Sequence, residues 1–190
     1  MGIKLDLDAP CGRYLTFRNL IECGETWRRA VAEGRPVDNE PVEAESIDAL
    51  IELCEAVLDP VVERFGPLSI TYGLSGAPLS RHVMKEMGRI APKLDQHAAH
   101  ELNRDGRRVC ERGGAAADFQ VAGISSREVA RWIVSNTRFD RLYFYGPDRP
   151  IHVSVAGEPN KEIVLMREIA PGRRVPRVVN NKTFLADDDL

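Results

Sequence analysis

No two cysteines in this chain stand close enough to form a metal knuckle. Cys11, Cys23, Cys54 and Cys110 are scattered without a Cys-x-x-Cys spacing, which excludes a zinc ribbon or a thioredoxin-type redox motif. Cys54 falls on the apolar side of a predicted helix and Cys110 follows Val109, so the thiols read as core residues of a protein kept in a reducing compartment. No run is long and apolar enough to span a bilayer. The opening residues, Met1 to Asp8, lack the basic and apolar regions of a secretory signal. Asp6 stands where an N-myristoylation motif needs Ser or Thr. A cytoplasmic protein is expected. Neither charge dominates: 26 Lys and Arg against 29 Asp and Glu leave −3, which gives no reason to expect nucleic acid or a membrane as partner. There is no internal repeat, so a solenoid is excluded.

What is present suits one globular domain of 190 residues with 43% hydrophobic and 29% charged residues. Thr16 predicts a short helix through Ile21, and residues 25–32 a second. The strongest helical spacing runs over residues 46–65, with Ser46 as N-cap and Pro60 set to kink or split it. Residues 68–74 read as a strand, 78–88 as a short helix and 114–121 as a strand. Ser125 or Ser126 caps a further helix. Residues 141–145 and 151–155 form a predicted hairpin, and 163–166 a last strand. Helices in front and strands behind indicate an α+β fold, a small antiparallel sheet packed against N-terminal helices. Residues 14–66 would be the helical part, 67–168 the core and 169–190 a solvated tail. The arginines of that tail (Arg167, Arg173, Arg174, Arg177) and Lys182 raise nucleic-acid binding as a third reading, with a solvated tail the plainer one.

Chemistry gathers around three polar residues in apolar settings. His97 follows Asp95-Gln96, Asp118 closes Gly113-Gly114-Ala115-Ala116-Ala117, and His152 lies between Ile151 and Val153. Two imidazoles and one carboxylate form the ligand set of a zinc site with one position open. Buried ionisable groups need partners, which a shared cation or separate hydrogen bonds would supply.

The order of these segments resembles the zinc D-Ala-D-Ala carboxypeptidase family, of the Hedgehog/D,D-peptidase fold, and within it the small phage and bacterial peptidoglycan peptidases. The likeness covers roughly residues 14–156. It includes the front segment from Tyr14 to Leu20, the run Val37-Asp38-Asn39-Glu40-Pro41, and the end of the long helix. Gly114-Ala115-Ala116-Ala117-Asp118 matches the family's Gly-x-Ala-x-Asp, and Ile151-His152-Val153-Ser154 matches its last ligand segment. Asp95-Gln96-His97 resembles the first, Ser-x-His. Twenty residues lie between His97 and Asp118 where the family has six. Either His97 is the ligand and residues 98–113 are inserted, or Glu111, which falls in strict register, replaces it. His100 is a spare.

The resemblance implies Zn2+ on His97, Asp118 and His152, and hydrolysis of an amide in a small peptide or peptidoglycan-like substrate. Two departures stand out. The turn after the first strand, Thr71-Tyr72-Gly73-Leu74-Ser75, lacks the family's Arg, with Arg81 the nearest substitute. The family's general base usually precedes the last His by three residues; Arg149 stands there and Asp148 one further back, which makes Asp148 the candidate base. Ser154 lies two residues past His152, on the same side of a strand, to orient substrate or simply to pack. Asp140 matches a family position that looks structural. The alternative is a catalytically altered metal-binding domain serving a phage or bacterial modification or assembly system.

Overall fold

A computed structural model describes residues 5–35, 37–87 and 96–186. Asp95, in the first motif, lies outside them. Strands β1 (Leu68–Tyr72), β2 (Ala115–Val121), β3 (Arg141–Phe144), β4 (Ile151–Val155), β5 (Glu162–Ala170) and β6 (Arg173–Val179) form one sheet ordered β1-β2-β4-β3-β5-β6. The sheet is larger than expected, and mixed. The predicted β3–β4 hairpin is present, and β5 returns to the free edge of β3, so those two strands run parallel while all other neighbours are antiparallel.

Residues 169–186, the described part of the expected tail, are not simply solvated. β6 pairs with β5 from Ile163↔Val179 to Ala170↔Arg173, and α7 (Asn181–Ala186) seats the buried Phe184 against Phe144. β6 is mostly exposed and shows no inward–outward alternation, and its Pro176 is tolerated because β6 is an edge strand.

The helices follow local chemistry closely. Thr16 caps α1 (Phe17–Ile21), α2 spans Glu25–Ala32, and Ser125 caps α6 (Ser126–Asn136) by accepting the Arg127 N–H. The long helix begins earlier than predicted, as α3 (Ala44–Leu53), so Ser46 is not its cap; its Oγ accepts the His100 N–H instead. A π-helical turn (Cys54–Leu58) then leads into α4 (Asp59–Phe65). Pro60 supplies the cause, since it cannot donate the i→i−4 bond that would keep the ladder regular. α5 (Ala77–Met87) follows β1. No helix among the described residues is long and apolar enough to cross a membrane.

One face of the sheet is closed by these helices. Ala117, Phe119, Leu142, Val153, Ile163 and Leu165 pack there with Leu50, Leu53 and Val57. All four cysteines are free and buried; burial pushes the Cys23 thiol up to about 12, the unreactive state expected of a core residue. The opposite face carries His152, Ser154 and Asp118, because strand alternation sends them away from Val153 and Phe119.

Asn39 fixes the turn beside that face. Its buried amide donates to the Ile21 and Leu74 carbonyls, and its Oδ1 accepts the Gly76 N–H, all at 2.8 Å. Asn39→Ala would strand three backbone groups, and urea titration should register a loss of about 3 kcal/mol.

Candidate metal centre

Three elements converge on one point of the open face. Asp118 and His152 stand directly opposite in the β2–β4 register, and a 3-10 turn (Gln96–Ala98) lays His97 across them. His97 Nε2 lies 3.2 Å from Asp118 Oδ1 and 3.1 Å from His152 Nδ1, and His152 Nδ1 lies 2.9 Å from the same Oδ1. A tetrahedral zinc with bonds near 2.0–2.1 Å has ligand–ligand edges of about 3.3 Å, so the triangle needs only a few tenths of an ångström of expansion.

The tautomers fit as well. His97 Nδ1 is 2.8 Å from the Gly73 carbonyl, which can only accept, so Nδ1 carries a proton and Nε2 is the nitrogen that the neutral ring would offer to a metal. Lone pairs of two imidazoles and a carboxylate facing one another at this range require a shared cation or a proton. Burial raises the Asp118 carboxyl's affinity for a proton, but His97 and His152 outweigh it and hold the group well below the usual carboxylate range. It is therefore ionised and available as a ligand. The imidazole side chains are 4% and 9% exposed, whereas Asp118 is 29% exposed. The group thus opens to solvent on the carboxylate side, as a site with a free coordination position must.

A buried polar network holds the His97 turn in place. Gln96 Nε2 lies 3.0–3.1 Å from the Gly113 and Val155 carbonyls and from Asp140 Oδ2, and Ser154 Oγ donates to Gln96 Oε1 at 2.8 Å. Asp140, fully buried, takes a bidentate pair from Arg112 and the Asn160 N–H at 2.8 Å. Gln96→Leu keeps the volume but removes the amide's bonds to the Gly113 and Val155 carbonyls, to Asp140 and from Ser154. Metal affinity should fall by about 10- to 100-fold, the usual effect of losing an outer-shell partner, as measured by competition with a chromogenic chelator.

Gly114 explains its own place in the motif. Its φ is +78°, and a Cβ there would run into the Val155 carbonyl, so only glycine lets β2 start this close to β4.

The structure brings His97, Asp118 and His152 together, and they are the cluster of potential metal ligands found among the described residues. Glu111 is exposed in the turn before β2 and is not part of it. His100 is not a ligand either; its Nε2 accepts the Gly114 N–H at 2.9 Å. Ser154 is on the His152 face as predicted but fully buried, and its bond to Gln96 makes it a support rather than a surface for substrate. Arg81 is exposed on α5, next to the inward-facing Leu79, Ser80 and Val83. Asp148 is exposed in the β3–β4 turn, where its carbonyl accepts from Gln120 Nε2 at 3.3 Å. Its carboxylate does not belong to the triad.

Two aromatic residues escaped the sequence reading. Tyr143 stacks on His152, centroids 4.7 Å apart at 21°, and Tyr72 meets His97 edge-on at 4.6 Å while its hydroxyl donates to Ser75. Their signal was alternation alone: each leaves its strand on the open face. No family model, curated protein or solved structure matches the chain.

Proposed function

We propose that this protein is a zinc-dependent hydrolase that cleaves an amide bond in a small peptide or peptidoglycan-like substrate. The observation that carries the reading is the solvent-open convergence of two imidazole nitrogens and one carboxylate oxygen. Two nitrogen donors and one oxygen donor suit zinc better than the harder ions. Bound there, zinc would polarise the scissile carbonyl and acidify a water. His97 and His152 hold their donor atoms through the Gly73 carbonyl and the Tyr143 ring. Asp148, in the turn that leads into β4, is the proton acceptor in this reading.

The test is amine release from purified peptidoglycan and from short peptides of L and D residues. We expect turnover that needs zinc and is lost in His152→Ala. Turnover on a D-Ala-D-Ala peptide should be weak, because the turn after β1 offers no arginine for the developing anion and losing such a clamp commonly costs about 3 kcal/mol. No zinc-dependent release from any of these substrates would contradict the hydrolase reading. Asp148→Asn should keep the metal and reduce turnover by about 100- to 10,000-fold; unchanged turnover would leave Asp148 as a turn residue.

The missing arginine and the exposed acid favour one second reading, a metal-binding domain of the same architecture working in a phage or bacterial modification or assembly system. It predicts full metal loading without amine release.

A further inference from the structure

β5 and β6 leave the sheet as a two-stranded ribbon. The last β3–β5 register pair is Phe144↔Leu165, while β5 and β6 stay paired out to Ala170↔Arg173. Beyond Leu165 neither outer edge of this pair has a strand beside it among the described residues. Every residue from Arg167 to Val178 is exposed except the half-buried Arg174.

Register tells the two faces of the ribbon apart where burial does not. Residues opposite each other in a ladder leave it on the same side, and side chains alternate along each strand. Leu165↔Arg177 and Arg167↔Val175 are register pairs, so Arg167, Val175 and Arg177 share the side of Leu165. Arg173, two residues before Val175, joins them. Glu168 and Arg174 are paired on the other side, where they form an ion pair at 3.2 Å. Residues 166–179 hold four arginines and one acid, and the strands sort them. The carboxylate and the arginine that neutralises it occupy one face; three arginines and no acidic residue occupy the other. None of these three has an ion pair among the described residues.

Spacing and width narrow the partner. Arg173 and Arg177 are diagonal neighbours of Arg167, roughly 7–8 Å from it. They stand about 13 Å from each other, four residues along β6 at about 3.3 Å each. Guanidiniums so far apart cannot share one small anion, but each planar fork of donors suits a separate phosphate of a polyanion. A single valine among them leaves too little apolar surface to enter a bilayer. Two strands are also the width that the major groove of B-DNA, about 12 Å across, admits.

We propose that the β5–β6 ribbon is a DNA-binding element that lays its Arg167, Arg173 and Arg177 face on the duplex, with the guanidiniums on backbone phosphates. Phosphate contacts position a protein without reading bases, so the binding is independent of sequence. It is separate from the metal centre and stands or falls without it.

The probe is a fluorescein-labelled DNA duplex of about two helical turns, titrated with the full chain and read by fluorescence anisotropy. Three phosphate contacts predict a slope of about −2.7 for log K against log salt, an affinity about 40-fold lower at about 200 mM than at about 50 mM. Arg167→Gln, Arg173→Gln and Arg177→Gln should each shorten the slope by about 0.9, and the triple variant should show no salt-dependent binding. Glu168→Gln/Arg174→Gln, which removes a neutral pair from the other face, should keep the wild-type slope. Unchanged melting temperatures in the three single variants, expected for exposed side chains, show that any loss is not unfolding. A duplex RNA of the same sequence should bind more weakly, because its major groove is too narrow for side chains to enter. No salt-dependent binding by the wild-type chain, or a slope that survives the triple substitution, overturns the proposal. So does an equal loss in the Glu168→Gln/Arg174→Gln protein, or equal binding of the RNA duplex. Capture by phosphatidylserine vesicles through the same three arginines, without binding to the DNA, would make the ribbon a membrane contact and equally overturn it.

Discussion

Alanine at His97, Asp118 or His152 should each remove the metal and lower the melting temperature by about 10 °C. The magnitude follows from linkage. A ligand present at a thousand times its Kd stabilises the folded state by about 4 kcal/mol, and a domain of this size gains about 2–4 °C per kcal/mol. The donors come from three segments distant in sequence, a 3-10 turn, β2 and β4, so an ion held there would tie together parts of the chain that loop closure otherwise keeps apart. Glu111→Ala should behave like the wild type, since that side chain is exposed outside the cluster. Calorimetry of zinc-loaded and chelator-stripped protein measures the shift. In the three ligand variants the two scans should coincide.

Arg112→Ala should be the most damaging substitution away from the ligands. It strands the Asp140 carboxylate, which is fully buried and receives two guanidinium hydrogen bonds from Arg112. Removing one partner of a buried ion pair commonly costs about 3–5 kcal/mol. The effect has a pH signature. Burial raises the Asp140 carboxyl, but Arg112, the Asn160 N–H and Gln96 outweigh it and leave it below its ordinary value. A lowered folded pKa contributes stability above the unfolded value of about 3.9 and loses it as pH falls through the folded value. Without Arg112, burial dominates and the carboxyl's pKa rises. The stability gap between wild type and Arg112→Ala should therefore be widest near neutrality and narrow as the pH falls through the range in which the variant's carboxyl takes up its proton. A gap independent of pH would show that Arg112 acts through packing rather than through Asp140.

Asp118 and His152 were legible as candidate ligands because each interrupts an apolar stretch whose period identifies it as a strand. Asp118 among alanines and His152 between Ile151 and Val153 are polar residues on the open side of β2 and β4. His97 was harder to place, since nothing local predicts a 3-10 turn and the long separation from Asp118 left Glu111 as a rival. Glu111 lies exposed outside the cluster that His97 joins. Gln96 was passed over because a single glutamine says nothing of the three acceptors that surround it, which come from three distant parts of the chain. The same holds for Asn39, whose partners lie 18, 35 and 37 residues away. At the C-terminus, charge concealed structure: the arginines of β6 suggested a solvated tail, and its mostly exposed residues carry no apolar alternation to mark a strand. The parallel β3–β5 pairing was invisible locally, because it depends on which edge of the hairpin β5 returns to.

Zinc anomalous scattering from a crystal of the untagged, zinc-loaded protein would locate the ion against its ligands. A single peak per chain is expected within about 2.0–2.2 Å of His97 Nε2, Asp118 Oδ1 and His152 Nδ1. A zinc-loaded crystal with no peak among those three atoms, or with its peak elsewhere on the chain, would contradict the metal centre and the hydrolase built on it.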